Sequence, residues 1–102
     1  MPTLVKVGRA EELKPGQKTL AEIDGLALVI ANVDGKFCAV EDVCTHDGGP
    51  LGEGELDGCE LICPRHGARF DVCTGAATRM PAFENIGSYT VRVCDGDLLV
   101  EA

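Results

Sequence analysis

Four of the five Asp-Gly pairs constrain the fold of this 102-residue chain more than any other feature, because each of the four stands beside short apolar runs. They are Asp24-Gly25, Asp34-Gly35, Asp57-Gly58 and Asp95-Gly96. Both residue types tolerate the positive φ angles of a type I′ turn, so such a pair between apolar runs indicates a β-hairpin. The sequence therefore predicts strands joined by tight turns.

The apolar runs beside these turns have the length and alternation of strands. The predicted strands are Thr3–Val7, Thr19–Ile23, Leu26–Val33, Phe37–Val40, Leu51–Leu56, Cys59–Cys63, Arg69–Val72, Ser88–Val93 and Leu98–Val100. Only Arg9–Leu13 has the character of a short helix, which Pro15-Gly16 ends. Short strands with frequent turn signals indicate an all-β sandwich or barrel.

The length is that of one domain, and we predict a single domain over residues 1–102. Residues 43–79 are richer in Gly and Cys than their flanks. We interpret them as a small subdomain inserted into the sandwich, whose base is formed by residues 1–42 and 80–102.

The charge balance excludes one class of partner. The chain carries 17 acidic and 9 basic side chains, for a net charge of −8. Nucleic-acid binding requires clustered Lys and Arg, so no nucleic-acid partner is expected, whereas an acidic surface can steer a partner with a basic face.

Neither a secretory signal nor an apolar run of membrane-spanning length is visible, so we expect a cytoplasmic location and no membrane partner. In a reducing compartment, cysteines are more often metal ligands or buried thiols than disulfides. Of the six cysteines, we interpret four as buried apolar thiols: Cys38, Cys59, Cys73 and Cys94.

The remaining cysteines lie in two segments that also hold both histidines of the chain. These segments are Cys44-Thr45-His46 and Cys63-Pro64-Arg65-His66, and glycine follows each closely. The candidate metal ligands are thus Cys44, His46, Cys63 and His66. Two thiolates and two imidazoles can hold a zinc ion, or one end each of an iron–sulfur cluster.

Zinc sites with two Cys and two His usually group both cysteines in one segment. The mixed pattern here, Cys-x-His followed by Cys-x-x-His, resembles the Rieske iron–sulfur motif. The whole chain resembles a stand-alone Rieske-type ferredoxin, the electron carrier of multicomponent aromatic-ring dioxygenases. The resemblance includes its length, its β framework, the segment Phe70-Asp71-Val72-Cys73-Thr74-Gly75 and the loop Met80-Pro81-Ala82.

This resemblance implies a Rieske-fold β-sandwich of short antiparallel strands with one 2Fe-2S cluster. In the family pattern, Cys44 and Cys63 ligate the buried iron, and His46 and His66 ligate the outer iron with their rings facing solvent. The histidine edge would be the electron port, with a docking rim formed by residues 47–50 and 80–82.

The implied function is one-electron transfer from an NAD(P)H-dependent flavin reductase (a ferredoxin reductase) to a terminal oxygenase, through transient contacts. We expect no catalysis, because no histidine remains for a mononuclear iron. No Gly-x-Gly-x-x-Gly motif is present, so we expect no NAD or flavin binding and a separate reductase. Two alternatives stay open: a Rieske-like small subunit of an assimilatory nitrite reductase, and a zinc-stabilised interaction module without redox function.

The residues near the predicted cluster indicate a low reduction potential. High-potential respiratory members have a Ser and a Tyr that donate hydrogen bonds to the cluster, where this chain has Ala68 and Phe70. They also have a disulfide between the two ligand segments, where this chain has Gly49 and Arg65. We therefore expect a midpoint near the lower end of the Rieske range, at roughly −150 mV.

Overall fold

The computed structural model describes residues 3–45, 48–80, 82 and 84–101. Its strands are β1 (Leu4–Arg9), β2 (Lys18–Ile23), β3 (Leu26–Val33), β4 (Lys36–Glu41), β5 (Leu56–Asp57), β6 (Glu60–Ile62), β7 (Arg69–Asp71), β8 (Ala77–Arg79), β9 (Ser88–Tyr89), β10 (Val91–Cys94) and β11 (Asp97–Glu101). One 3-10 turn, Ala10–Glu12, lies between β1 and β2 where a short helix was expected. The all-β prediction is confirmed. Within the described part of the chain, no helix is long and apolar enough to cross a membrane.

The strands form three antiparallel sheets. The first has the order β1-β11-β10, the second β2-β3-β4-β9 and the third β5-β6-β7-β8. The first two sheets contain strands from both ends of the chain, whereas the strands of the third all lie between residues 56 and 79. The third sheet therefore falls inside the segment 43–79; the exact subdomain boundaries stay a prediction.

Two apolar cores hold the sheets together. The base core joins the first and second sheets and consists of Leu13, Ile23, Leu28, Ile30, Ala39, Leu98 and Val100. The site core joins the second sheet to the third and to its loops, and consists of Val29, Ala31, Cys38, Val40, Cys44, Leu51, Leu61, Cys63, Ala68, Phe70, Val72, Ala82 and Ile86. Successive side chains of a strand point to opposite faces, so β3 contributes alternately to both cores. This explains its apolar run from Leu26 to Ala31.

The hairpin prediction is confirmed at all four of these Asp-Gly pairs, and three of them have the positive φ angles of a type I′ turn. Asp24, Asp34 and Asp95 have φ angles of 49°, 51° and 51°, and the glycine after each is also positive. The fourth pair differs, because Asp57 lies in β5 opposite Glu60. The turn there consists of Gly58 and Cys59, and a leading glycine with a φ of 62° suits a type II′ turn.

Two strand predictions need correction, and one strand was missed. Leu51–Leu56 is wrong over most of its length, because the backbone N–H groups of Leu51 and Gly52 bind the Asp42 side chain and form a turn. The run Ser88–Val93 divides at Thr90, so that β9 joins the second sheet and β10 the first. Strand β8 was not predicted, because the sequence Ala77–Arg79 has no apolar alternation. The strand forms only where the fold places it beside β7.

The interpretation of four cysteines as buried thiols is wrong. Cys38 and Cys73 form a disulfide with a Cα–Cα distance of 4.8 Å across 35 positions of sequence. Cys59 and Cys94 are exposed thiols, because Cys59 lies in a hairpin turn and Cys94 on the edge strand β10. Neither outcome can be read from local sequence, because both depend on where the fold places these positions.

Candidate metal centre

The first predicted ligand loop is closed around the backbone of Cys44. The Cys44 N–H donates to the Gly49 carbonyl at 2.7 Å, and the Gly48 N–H donates to the Cys44 carbonyl at 2.7 Å. Gly48 has a φ of +75°, which disfavours any residue with a Cβ. The Thr45 hydroxyl donates to the Glu84 carbonyl at 2.7 Å and so ties this loop to the segment after β8.

The second loop repeats the same backbone pattern around Cys63. The Cys63 N–H donates to the Ala68 carbonyl at 2.7 Å, and the Gly67 N–H donates to the Cys63 carbonyl at 3.0 Å. Gly67 has a φ of +77°, close to that of Gly48 in the first loop. In both loops the glycine stands four positions after the cysteine. The two loops are thus equivalent turns, and this shared spacing was a signal available in the sequence.

The structure brings two of the four predicted ligands into one core. Cys44 and Cys63 are both buried members of the site core, with 0% and 1% exposure, and both are thiols. His66 lies at the surface on the second loop. His46 lies outside the described residues. Buried thiols and an exposed imidazole are the kinds of donor that a buried iron and an outer iron would require.

The two loops contact each other through Arg65. Its guanidinium donates from Nη1 to the Pro50 carbonyl at 3.0 Å. It also covers Gly49 so closely that a Cβ built there would lie 2.7 Å from the guanidinium carbon. A polar contact therefore joins the two loops at Gly49, Pro50 and Arg65.

Asp42 fixes the chain immediately after the first loop. Its carboxylate Oδ1 accepts hydrogen bonds from the Leu51 and Gly52 N–H groups, each at 2.7 Å. The Lys18 ammonium adds a bond of 2.6 Å to the Gly52 carbonyl. Sequence reasoning missed Asp42, since its partners lie nine and ten positions away and no motif marks them.

Two further predicted features are placed as follows. Ala68 and Phe70, the positions without a hydroxyl, are fully buried in the site core.

Of the predicted docking rim, Gly48, Pro50 and Met80 are exposed, with Met80 at 67%. Ala82 is buried in the site core, so its inclusion in the rim is wrong. Asp47 and Pro81 lie outside the described residues.

Among residues 3–45, 48–80, 82 and 84–101, no group of three or more His, Cys, Asp and Glu side chains could hold a metal ion. His46, one of the four predicted ligands, is outside that set. The candidates Cys44, Cys63 and His66 are inside that set and do not form such a group, so the four-ligand site stays a prediction.

Comparison with known proteins gives one consistent result. The family model described as the Rieske 2Fe-2S domain matches residues 3–90. Ferredoxin CarAc of Metapseudomonas resinovorans is 36% identical over 97 residues, which is 94% of this chain and 91% of that protein. The biphenyl dioxygenase ferredoxin subunit of Pseudomonas sp. (strain KKS102) is 36% identical over 100 residues, covering 97% and 92% of the two chains.

Solved structures agree with these sequence matches. The ferredoxin of carbazole 1,9a-dioxygenase from Nocardioides aromaticivorans IC177 superposes with a TM-score of 0.92 at 33% identity, covering 97% of both chains. A chain in a complex of reduced oxygenase and oxidized ferredoxin in carbazole 1,9a-dioxygenase gives a TM-score of 0.91 at 36% identity, covering 96% and 92% of the chains. The predicted Rieske-fold sandwich is therefore confirmed.

Proposed function

The chain belongs to the Rieske 2Fe-2S domain family, and we propose that it carries single electrons from an NAD(P)H-dependent flavin reductase to a terminal oxygenase. The family model covers residues 3–90, and relatives named as ferredoxin components match over more than nine-tenths of both chains. The chain is thus an electron-transfer component with a Rieske-type 2Fe-2S cluster, and not a catalyst. These sequence predictions are confirmed.

The ligand assignment is part of the proposal. Cys44 and Cys63 would hold the buried iron, and His46 and His66 the outer iron. The observation that carries this assignment is the burial of two thiols on equivalent glycine turns, with His66 exposed on the second of the two loops. A bound cluster of this type accepts and releases one electron. The chain's own contribution is to hold the thiols away from water and to leave an imidazole edge at the surface.

The terminal oxygenase is the partner for which the comparisons offer most support, because one of the matched structures is a complex of oxygenase and ferredoxin. Electron-transfer contacts of this kind are small and transient. The exposed residues Gly48, Pro50 and Met80 would border the contact. The flavin reductase is expected because the chain needs an electron source and has no dinucleotide fingerprint of its own.

Both alternatives receive less support. The relatives named above are ferredoxin components of dioxygenase systems, which favours a mobile carrier over a subunit of a nitrite reductase. The match to the Rieske 2Fe-2S model favours an iron–sulfur cluster over zinc.

The ligand assignment is tested by substituting one cysteine at a time. We expect Cys44→Ala and Cys63→Ala to abolish the visible spectrum and the low-temperature EPR signal of the dithionite-reduced protein, whose average g should lie below the free-electron value. The matched control is Cys59→Ala, which removes an exposed thiol and should leave both spectra unchanged. A native spectrum in Cys44→Ala would refute the assignment.

The carrier role is tested with a defined acceptor. The reduced protein is mixed with the oxidised terminal oxygenase of carbazole 1,9a-dioxygenase, and reoxidation is followed by the visible absorbance of the ferredoxin. We expect reoxidation to be much faster with the oxygenase than with buffer alone under anaerobic conditions. Equal rates would contradict electron delivery to this class of oxygenase.

A further inference from the structure

We propose that Cys38 and Cys73 form a reversible dithiol–disulfide pair whose oxidation state controls how firmly the ligand loops retain the cluster. This function goes beyond electron transfer, and it uses neither of the predicted ligand cysteines. It rests on the position of the disulfide between the base and the ligand loops.

The disulfide closes a covalent ring around the whole predicted site. Cys38 lies in β4, the strand that leads into the first ligand loop, and Cys73 lies in the turn after β7, the strand that follows the second loop. All four predicted ligands therefore lie inside the ring. A crosslink that encloses two loops limits how far they can separate once a metal is lost.

The turn at Cys73 is itself held in place, so that the disulfide has a rigid attachment. The Asp71 carboxylate accepts the N–H groups of Cys73 and Thr74 at 2.8 and 3.0 Å. The Ile86 N–H donates to the Gly75 carbonyl at 2.8 Å, which connects the turn to the chain before β9. The oxidised pair thus joins the site to elements of the base at a fixed point.

A cavity gives solvent access to the pair from one side. It has a volume of about 270 Å³, and its walls include Lys36, Phe37, Ser88 and Tyr89 as well as both cysteines. Cys73 is half-buried whereas Cys38 is 5% exposed. An incoming thiolate would therefore attack the Cys73 sulfur, and Cys38 would be the leaving group.

The exchange step balances with a dithiol as the reductant. A thiolate of the dithiol bonds to the Cys73 Sγ, the Cys38–Cys73 bond breaks, and Cys38 leaves as a thiolate that takes up a proton. The second thiol of the dithiol then displaces Cys73, which is also protonated. The pair gains two electrons and two protons, and the dithiol becomes a cyclic disulfide. The reverse reaction with an oxidised dithiol restores the ring.

The experiment uses the holoprotein with Cys59→Ser and Cys94→Ser, which removes the two exposed thiols and leaves the ring and the predicted ligands intact. One sample is treated with dithiothreitol. Alkylation in denaturant with peptide mapping should then modify Cys38 and Cys73 only in the treated sample. Cluster loss to excess EDTA, followed by visible absorbance, should be several-fold faster after treatment.

The matched control adds Cys38→Ala and Cys73→Ala to the same background. It should lose the cluster at the rate of the reduced sample and show no further response to dithiothreitol. If this control does not fold, the comparison of treated and untreated samples decides alone. The proposal would be overturned if Cys38 and Cys73 were alkylated without treatment, or if dithiothreitol failed to make them available for alkylation. Equal rates of cluster loss in the oxidised and reduced samples would also overturn it.

Discussion

Single glycines determine whether the two ligand loops can form. Gly67 has a φ of +77°, and the space where a Cβ would lie is open. An alanine there would fit sterically with its neighbours but would still occupy a left-handed conformation, which costs about 1–2 kcal/mol. The penalty comes from the backbone alone, so it can be measured against an equivalent glycine remote from the site.

Gly67→Ala is therefore expected to lower the free energy of unfolding by about 1–2 kcal/mol and to speed the loss of the cluster to a chelator. The control is Gly16→Ala, because Gly16 has a φ of +86°, also has open space around it and lies in the turn before β2. It should show a similar loss in urea unfolding with unchanged cluster retention. Equal effects of both variants on cluster retention would contradict the role of the loop.

The second prediction at this scale concerns the two buried positions that lack a hydroxyl. Ala68→Ser together with Phe70→Tyr should raise the reduction midpoint, since each new hydrogen bond to the site favours the more negative reduced form. A bond of ~1 kcal/mol corresponds to about 40 mV for one electron. Potentiometric titration measures the shift. The control Phe37→Tyr, on β4 and packed against the base core, should leave the midpoint unchanged. An unchanged midpoint in the double variant would show that these donors do not set the potential.

At the scale of secondary-structure elements, the short strand β9 lies at one edge of the second sheet and pairs with β4. Tyr89 on β9 pairs with Ala39 of β4 and forms part of the cavity wall beside the disulfide. Burial raises the pKa of Tyr89, and the nearby Glu41 carboxylate raises the pKa further. The pKa of Tyr89 is therefore higher in the folded protein than in the unfolded protein. The contribution of this difference to the free energy of unfolding is fully present below about pH 10, and it is lost as the pH rises through the pKa of the folded protein.

This element gives a spectroscopic prediction, because Tyr89 is the single tyrosine and the chain has no tryptophan. The phenolate absorbance of the folded protein should appear at higher pH than in the protein unfolded in guanidinium. Glu41→Gln should move the folded transition part of the way back. Tyr89→Phe supplies the background absorbance of the cluster. Coincident transitions in folded and unfolded protein would contradict the effect of burial.

For the whole molecule, the division into two cores has a consequence for stability. The base core joins two sheets and contains none of the predicted ligands, whereas the site core contains both predicted ligand cysteines. Metal binding stabilises the part of the fold that must be ordered to hold the ligands. Loss of the cluster should therefore affect the site core more than the base core.

We expect Cys44→Ala to leave the amides of β1, β3 and β11 protected from hydrogen exchange, while residues 43–79 exchange much faster than in the parent protein. Hydrogen exchange read by mass spectrometry of peptides measures both regions at once. The holoprotein with Cys59→Ala is the control for removing a cysteine elsewhere. Uniform loss of protection across the chain would show that the two cores unfold as one unit.

Features that depend on neighbouring residues were determined by the sequence alone. The three type I′ turns were predicted correctly because Asp and Gly both tolerate the positive φ angles of that turn. The two ligand loops could be located from the spacing of Cys, His and Gly, and the family and its cofactor from the same motif. The long strand β3 followed from the apolar run that begins at Leu26.

Only the tertiary structure decided the features in which distant segments meet. It paired Cys38 with Cys73, turned the run after Leu51 against Asp42, buried Ala82 and added β8 to the third sheet. The physical reason is that each depends on which surfaces face each other after the sheets have packed. A local pattern records what a segment can form, and packing against the two cores selects what it does form.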